Sequence, residues 1–368
     1  MIVVRVVVGI LAVAGVAAVL TSVMSAVVLP RAVPARLPRI AFLATNWVLR
    51  VRLRLTGRAD YATRDRIFAR QAPIGIFVQL FTWALLIFLL FAALFWSLTA
   101  TRVTGATVSR AIELSGSSML TLGFDTPHGL ARQLTAFVAA GVGLTLLALV
   151  IAYLPTLYAA FSRREALITK LSVRTGAPPS GPRLLSSSWE LERFDQLEEV
   201  WNSWEDWFID VGESHTTFPP LGFFRSPRAH NHWVLATESV LDGAALFITA
   251  CDVPRQSRSE LCLNAGVHAV VSIADFLGIP HRPPEPGATI ALSEEKFNQA
   301  HGELQSMGVP MRDRTAAWAE FRAVRARYEP VLAVLGTMTD APRSDWSAWS
   351  ESAPRHMPPL FGGRRLLQ

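Results

Sequence analysis

Thr121, Gly123 and Asp125 alternate within SGSSMLTLGFDTP, residues 115–127, a short polar and glycine-bearing segment between two long apolar stretches. The chemistry open to such a segment is the binding of a dehydrated cation. Consecutive backbone carbonyls, here those of Thr121, Leu122, Gly123 and Phe124, can replace an ion's hydration shell. The Thr121 hydroxyl would add an oxygen at the inner mouth and Asp125 a negative ring at the outer one. Gly123 opens backbone conformations closed to other residues. Ser115, Ser117 and Ser118, just upstream, suit capping or pinning of a helix better than contact with an ion.

Such a segment needs elements that carry it to membrane depth. Val103 to Leu120 is expected to descend as a half-length helix, and Thr121 to Asp125 to return extended toward the outer surface. The helix C-terminus presents partial negative charge, which favours cations. Irregular backbone survives inside a membrane only where protein or a water-filled cavity satisfies its polar groups, so the pattern implies a pore lining.

The flanks have the required length. Apolar residues make up 51% of the chain and charged residues 17%, below the roughly 25% usual in globular domains. No Asp, Glu, Lys or Arg occurs from Val6 to Pro30, from Gln71 to Thr101 or from Gln133 to Ser162. Each run exceeds the roughly 20 residues that cross about 30 Å of hydrocarbon as a helix. Spans are expected near 5–29, 74–99 and 132–160. The first is long for a removable leader and is expected to remain as a helix.

Charge orients them. Between the first two spans, ten arginines from Arg31 to Arg70 stand against Asp60 and Asp65, an excess that marks the cytoplasmic side. The N-terminus is then outside and the C-terminal part cytoplasmic. Within this connection IAFLATNWVLRVRLRL mixes apolar and basic residues as an interfacial helix does. It serves either as a cuff anchoring the second span or in sensing lipid.

Residues 74–165 resemble the two-helix pore module of potassium channels, most of all prokaryotic members in which a soluble regulatory part follows the inner helix. The family's filter reads Thr-Val-Gly-Tyr-Gly-Asp. Thr121 matches its threonine, Leu122 the valine, Gly123 the first glycine, Phe124 the tyrosine and Asp125 the terminal aspartate. The second glycine is missing: either the strand is one residue shorter, or Asp125 takes the glycine position and Thr126 the next. In both cases the carbonyl stack differs from that of a selective potassium filter, and Phe124 lacks a tethering hydroxyl. The resemblance implies a homotetramer, permeant monovalent cations such as K+ or Na+, and a bacterial-type inner membrane.

The third span carries Gly141 and Gly143, which serve either as a gating hinge or for close helix packing. Pro155 removes a backbone donor about two turns before Arg163 and Arg164. There it marks either a gate, with Leu154, Leu157 and Tyr158 as a hydrophobic constriction, or a kink that aims the chain at its soluble part.

The expected architecture is an all-α membrane protein: an N-terminal transmembrane helix (1–30), a basic connection (31–73), the pore module (74–165), a linker (166–187), a cytoplasmic helical domain (188–340) and an irregular tail (341–368). In the domain, apolar positions from Trp189 to Val211 follow helical spacing, and further helices are expected near 230–250, 256–277, 292–305, 312–326 and 328–337. Its aromatic face, Trp189, Trp201, Trp204 and Trp207, is expected to pack inside. Its acidic residues are candidates to meet the arginines of 50–70. No Gly-rich phosphate loop after a strand appears. His215, His230 and His232 could bind a metal or titrate near neutral pH, but their spacing matches no specific zinc pattern and local hydrogen bonding is the plainer reading. Cys251 and Cys262 fit no nucleophile or metal motif. No bound cofactor, nucleic acid or enzymatic reaction is expected. Lipids and further copies of the chain are the expected partners, with any ligand of the soluble domain unspecified. A non-conducting scaffold that recruits partners through that domain is the alternative, and a membrane enzyme built on the His215–His232 region is a third class.

Overall fold

Regular structure among the described residues is all helical in the computed structural model of this chain. The residues described are 2–27, 36–55, 60–99, 108–254, 256–285 and 287–349. In chain order the helices are α1 (Ile2–Val27), α2 (Arg36–Leu55), α3 (Tyr61–Phe68), α4 (Gln71–Ser97), α5 (Val108–Met119), α6 (Leu130–Thr175), α7 (Gly181–Glu190), α8 (Leu197–Thr217), α9 (Trp233–Ala250), α10 (Ser257–Leu277), α11 (Glu294–Ser306), α12 (Arg314–Arg325) and α13 (Glu329–Thr339). They form two units, Met1–Val48 with Pro73–Tyr158 and Leu49–Ala72 with Ala159–Gln368.

In the first unit α1 runs antiparallel to α4. Gly9 meets Ser97, Gly15 meets Leu90, and Trp83 donates to the Ser22 hydroxyl at 3.3 Å. At the far end Arg5 donates to the Thr99 carbonyl and lies over the Trp96 ring. Trp83, Ile87, Phe91 and Phe95 recur every four residues, one stripe of a helix, and are buried against Val19, Val23, Leu114 and Ala139. A second stripe on α4, Phe77, Phe81, Leu85 and Leu89, is exposed, as are Leu134, Phe137, Leu147 and Ile151 on α6 and much of α1. Helices this long and this apolar with uncovered faces suit lipid or further protein as solvent.

The second unit is organised differently. Its central helix α9 is also apolar, yet 94% of its span is buried, against 11% for α1. It carries Glu238 and Asp242 into the interior, where Arg325 of α12 meets them. Among the described residues α1, α4, α6, α9 and α10 are each long and apolar enough to cross a membrane, but α9 is enclosed as the core of this unit, with α10 packed on it. Around α9 lie α7, α10, α12 and α13, with α8 laid along α10, where Gly212 meets Ala269 and Gly266 takes Phe208. Trp201, Trp204, Trp207 and Phe208 all point inward. Side chains cap helices where the sequence provides them: Asp60 for α3, Ser293 for α11 and Asp313 for α12.

Three local expectations are altered. The 166–187 stretch is helical at both ends, with non-helical chain confined to 176–180, because the breakers Gly176, Pro178 and Pro179 cluster there. The Trp189–Val211 helix is interrupted at 191–196, where Glu192 takes a positive φ of 56°, so Trp189 lies in the last turn of α7, which ends at Glu190, and α8 begins at Leu197. Where Glu205 and Asp210 of α8 form ion pairs, their partners lie outside the 50–70 arginines. Glu205 pairs with Arg258 and Asp210 with Arg163, while Arg64 pairs with Asp340. Residues 103–107 of the expected descending helix and 350–368 of the tail lie outside the described residues.

Candidate functional site

The short polar segment folds from the end of α5 upward. Helix α5 has 12 residues, roughly 18 Å, about half the thickness of a bilayer core. Its last turn closes with a paired capping bond: Leu122 N–H donates to the Ser117 carbonyl at 2.9 Å and Thr121 N–H to that of Ser118 at 3.1 Å. This motif needs a left-handed residue at the position Thr121 holds, and Thr121 has φ 53°. For a β-branched residue that conformation is costly, on the order of 1–3 kcal/mol. Gly123 follows at φ 72°, with Leu122 between them outside the positive-φ region.

Two serines hold this arrangement. Ser115, fully buried, donates to the Phe88 carbonyl at 2.7 Å and fixes α5 on α4. The Ser117 hydroxyl accepts from Asp125 N–H at 3.2 Å and reaches the Asp125 carbonyl at 3.4 Å. Ser117 thus fixes both Leu122 and Asp125, the two sides of Gly123 and Phe124. Between those anchors Leu122 and Phe124 are exposed apolar residues, and a Cβ at Gly123 would meet nothing within 4 Å. The Thr121 hydroxyl donates to the Leu120 carbonyl at 2.8 Å.

On α6 the two glycines separate. A Cβ at Gly143 would overlap the Met119 carbonyl oxygen at the end of α5, whereas one at Gly141 would enter open space. Gly143 therefore lets α6 touch the last turn of α5. Pro155 lies inside continuous helix, and the neighbouring Thr156 hydroxyl donates to the Tyr153 carbonyl at 2.7 Å. Leu157 is fully enclosed, Leu154 half-buried and Tyr158 exposed.

No protein-family model, curated protein or solved structure matches this chain. Its function has to be argued from its own geometry.

In the second unit the histidines are committed locally. His215 Nε2 lies 3.1 Å from the Arg164 guanidinium, and Nδ1 lies 3.2 Å from the Ser214 hydroxyl. Because a guanidinium only donates, Nε2 accepts and the ring is neutral. Burial first, and then the charge of Arg164, hold its pKa well below the ordinary value. His232 accepts the Val234 N–H through Nδ1 and caps α9, and His230 lies against the Tyr61 ring. No group of three or more metal-ligating side chains is found among the described residues. Cys251 and Cys262 are buried thiols, and burial raises the Cys251 pKa to about 12.

Arg164 also donates to the carbonyls of Leu221 and Phe224, each at 2.7 Å, and pairs with Glu165 at 2.8 Å. The next residue, Arg225, donates to Asp65 of α3 at 2.6 Å and to the Thr339 carbonyl at 2.6 Å. Residues 221–225 therefore hold the continuation of α6 with their carbonyls and α3 with a side chain. Sequence reasoning did not find this junction, since nothing distinguishes Arg164 from Arg163 in the string. Glu238 and Asp242, one turn apart within apolar α9, were the readable sign of the other buried cluster.

Proposed function

We propose that this chain is the pore-forming subunit of a gated monovalent cation channel, with residues 121–125 of several copies, four by the resemblance, arranged around one axis. The observation that carries this reading is the positive φ at Thr121 and Gly123 on either side of Leu122, exposed at the end of a half-length helix. Alternation of φ sign can turn successive carbonyls toward one side, whereas an ordinary strand alternates them, and carbonyls so aligned are what a filter offers a dehydrated cation. Strained backbone held in place by a buried serine is also a feature that clusters at ligand clamps. The uncovered apolar faces of α1, α4 and α6 give lipid and neighbouring copies their surfaces.

Gating would act through the second unit. Its 221–225 segment grips the α6 continuation and the α3 helix preceding α4, so movement of the domain reaches both flanks of the pore module. Without the second filter glycine the carbonyl stack differs from that of a selective potassium filter, so modest discrimination between K+ and Na+ is expected. The test is flux of K+, Na+ and Cl− through liposomes holding the purified chain, beside G123A and D125N. Cation flux that is abolished in G123A and altered in selectivity in D125N supports the reading. No flux in any of the three across voltage, pH and ionic gradients would favour the scaffold alternative, and equal flux in all three would remove residues 121–125 from the conduction path.

A further inference from the structure

A groove of about 530 Å³ in the second unit runs between the continuation of α6 and the α7–α8 connection. Lys170 and Arg174 line one wall and Arg193 the other, with Glu199 the carboxylate among the lining residues. Lys170 and Arg174 are four residues apart on one helix, a like-charge spacing that disfavours the helix itself. Arg193 adds unfavourable like charge to Arg174, opposed by Glu199. Among the described residues, none of the three cations has a carboxylate within ion-pair distance, and the Arg193 Nε hydrogen bond goes to the neutral Gln196 side chain. Positive charge has been gathered from two separate elements, with Glu199 as the opposing carboxylate in the lining.

The remaining lining is apolar. Leu171 and Trp204 form a buried floor, and Val173 and Leu191 stand at the rim, 77% and 61% exposed. The volume lies within the roughly 300–1,000 Å³ of small-molecule sites. Two guanidinium forks and an ammonium lining one groove from two walls match the several oxygens of a phosphate better than a single carboxylate. We infer that this groove binds a phosphate-bearing ligand whose other part is apolar or aromatic, phosphate against Lys170, Arg174 and Arg193 and the apolar part over Leu171 and Leu191.

Both a soluble nucleotide and an anionic lipid carry that chemistry. Lys170 and Arg174 stand about 12 and 18 Å along the helix beyond Ser162, where the charge-free run ends. That distance exceeds the depth of a headgroup layer and favours the soluble source.

The test uses the full-length chain in phosphatidylcholine nanodiscs, titrated with a trinitrophenyl-labelled ATP and competed with ATP or pyrophosphate. Binding weakened at least tenfold in R174Q and R193Q, weakened by salt and tightened severalfold in E199Q, is the expected result. Misfolding would not produce the E199Q gain, and thermal unfolding checks each variant. If label binds only weakly but nanodiscs containing phosphatidic acid raise the unfolding temperature of the native chain and not of R174Q, the phosphate site stands and its source is the membrane. Indifference of all these probes to the substitutions overturns the inference.

Discussion

Gly141 and Gly143 are two residues apart on one helix and face different surroundings, which makes them separable by experiment. At Gly143 a methyl group meets a backbone carbonyl that cannot swing aside. G143A is expected to lose about 1–3 kcal/mol through overpacking, seen as earlier thermal unfolding in detergent and as loss of flux. At Gly141 the methyl group enters open space, and replacing a mid-helix glycine is worth up to about 1 kcal/mol in its favour. G141A should therefore keep or raise thermal stability. Flux lost in G141A with the fold intact would identify bending or contact between copies at that glycine; equal destabilisation of both variants would refute the assignment of the close approach to Gly143 alone. Thr121 belongs to the same scale. Its left-handed φ was not legible in the sequence, because a threonine there contradicts its own propensity and is held by Ser117 and Ser118 through the chain around it.

Among the elements, Arg163 and Arg164 are neighbours with opposite fates. Arg164 is buried at the continuation of α6 and bonded to Glu165, His215 and two carbonyls, while Arg163 reaches Asp210 with its side chain 60% exposed. Removing one member of a buried network costs about 3–5 kcal/mol, and an exposed pair contributes under about 1 kcal/mol. R164M should lower the denaturation midpoint of the protein severely and R163M hardly at all; equal effects would mean that Arg164 is solvated and that the 221–225 segment does not grip α6. The helices themselves were largely legible. Charge-free runs gave α1, α4 and the start of α6, and the Pro- and Gly-bearing breaks bounded α9 to α13, to within a few residues, but α6 continues to Thr175, well past the expected end near 160, because the arginines after Ser162 end the apolar run without ending the helix. Where the sequence reading missed, local chemistry was outvoted. Ser, Gly and Pro around 180 suggested a long linker, yet Gly181 packs on Asp242 and Gly243 and Pro182 starts α7. The ion pairs were invisible because their partners are far apart in the chain, Asp65 and Arg225 by 160 residues.

For the molecule as a whole, the same apolar composition is used in two ways: exposed in the first unit, and enclosed around charge in the second. Inside the second unit Arg325 faces Glu238, Asp242 and Glu329 at 3.1–3.3 Å, and Tyr328 donates to Asp242 at 2.7 Å. Three carboxylates around one guanidinium cannot all ionise cheaply. Burial, followed by the charge of Asp242, raises Glu238 to about 8 against the Arg325 attraction, and burial raises Asp242 to about 6. The folded domain therefore keeps a proton on Glu238 that the unfolded chain releases near its ordinary value of 4.5. Between these values the unfolded state binds fewer protons, so stability falls as pH rises, by about 1.4 kcal/mol per pH unit for one proton. His215 and His232, held neutral in the fold, give the opposite slope below their ordinary 6.5. Denaturant unfolding monitored by tryptophan fluorescence should isolate Glu238 between pH 6.5 and 8, with stability decreasing in the native chain and flat in E238Q. A slope surviving in E238Q would transfer the proton to another group. A flat native profile would show that Arg325 already holds Glu238 ionised, leaving the cluster a plain ion network.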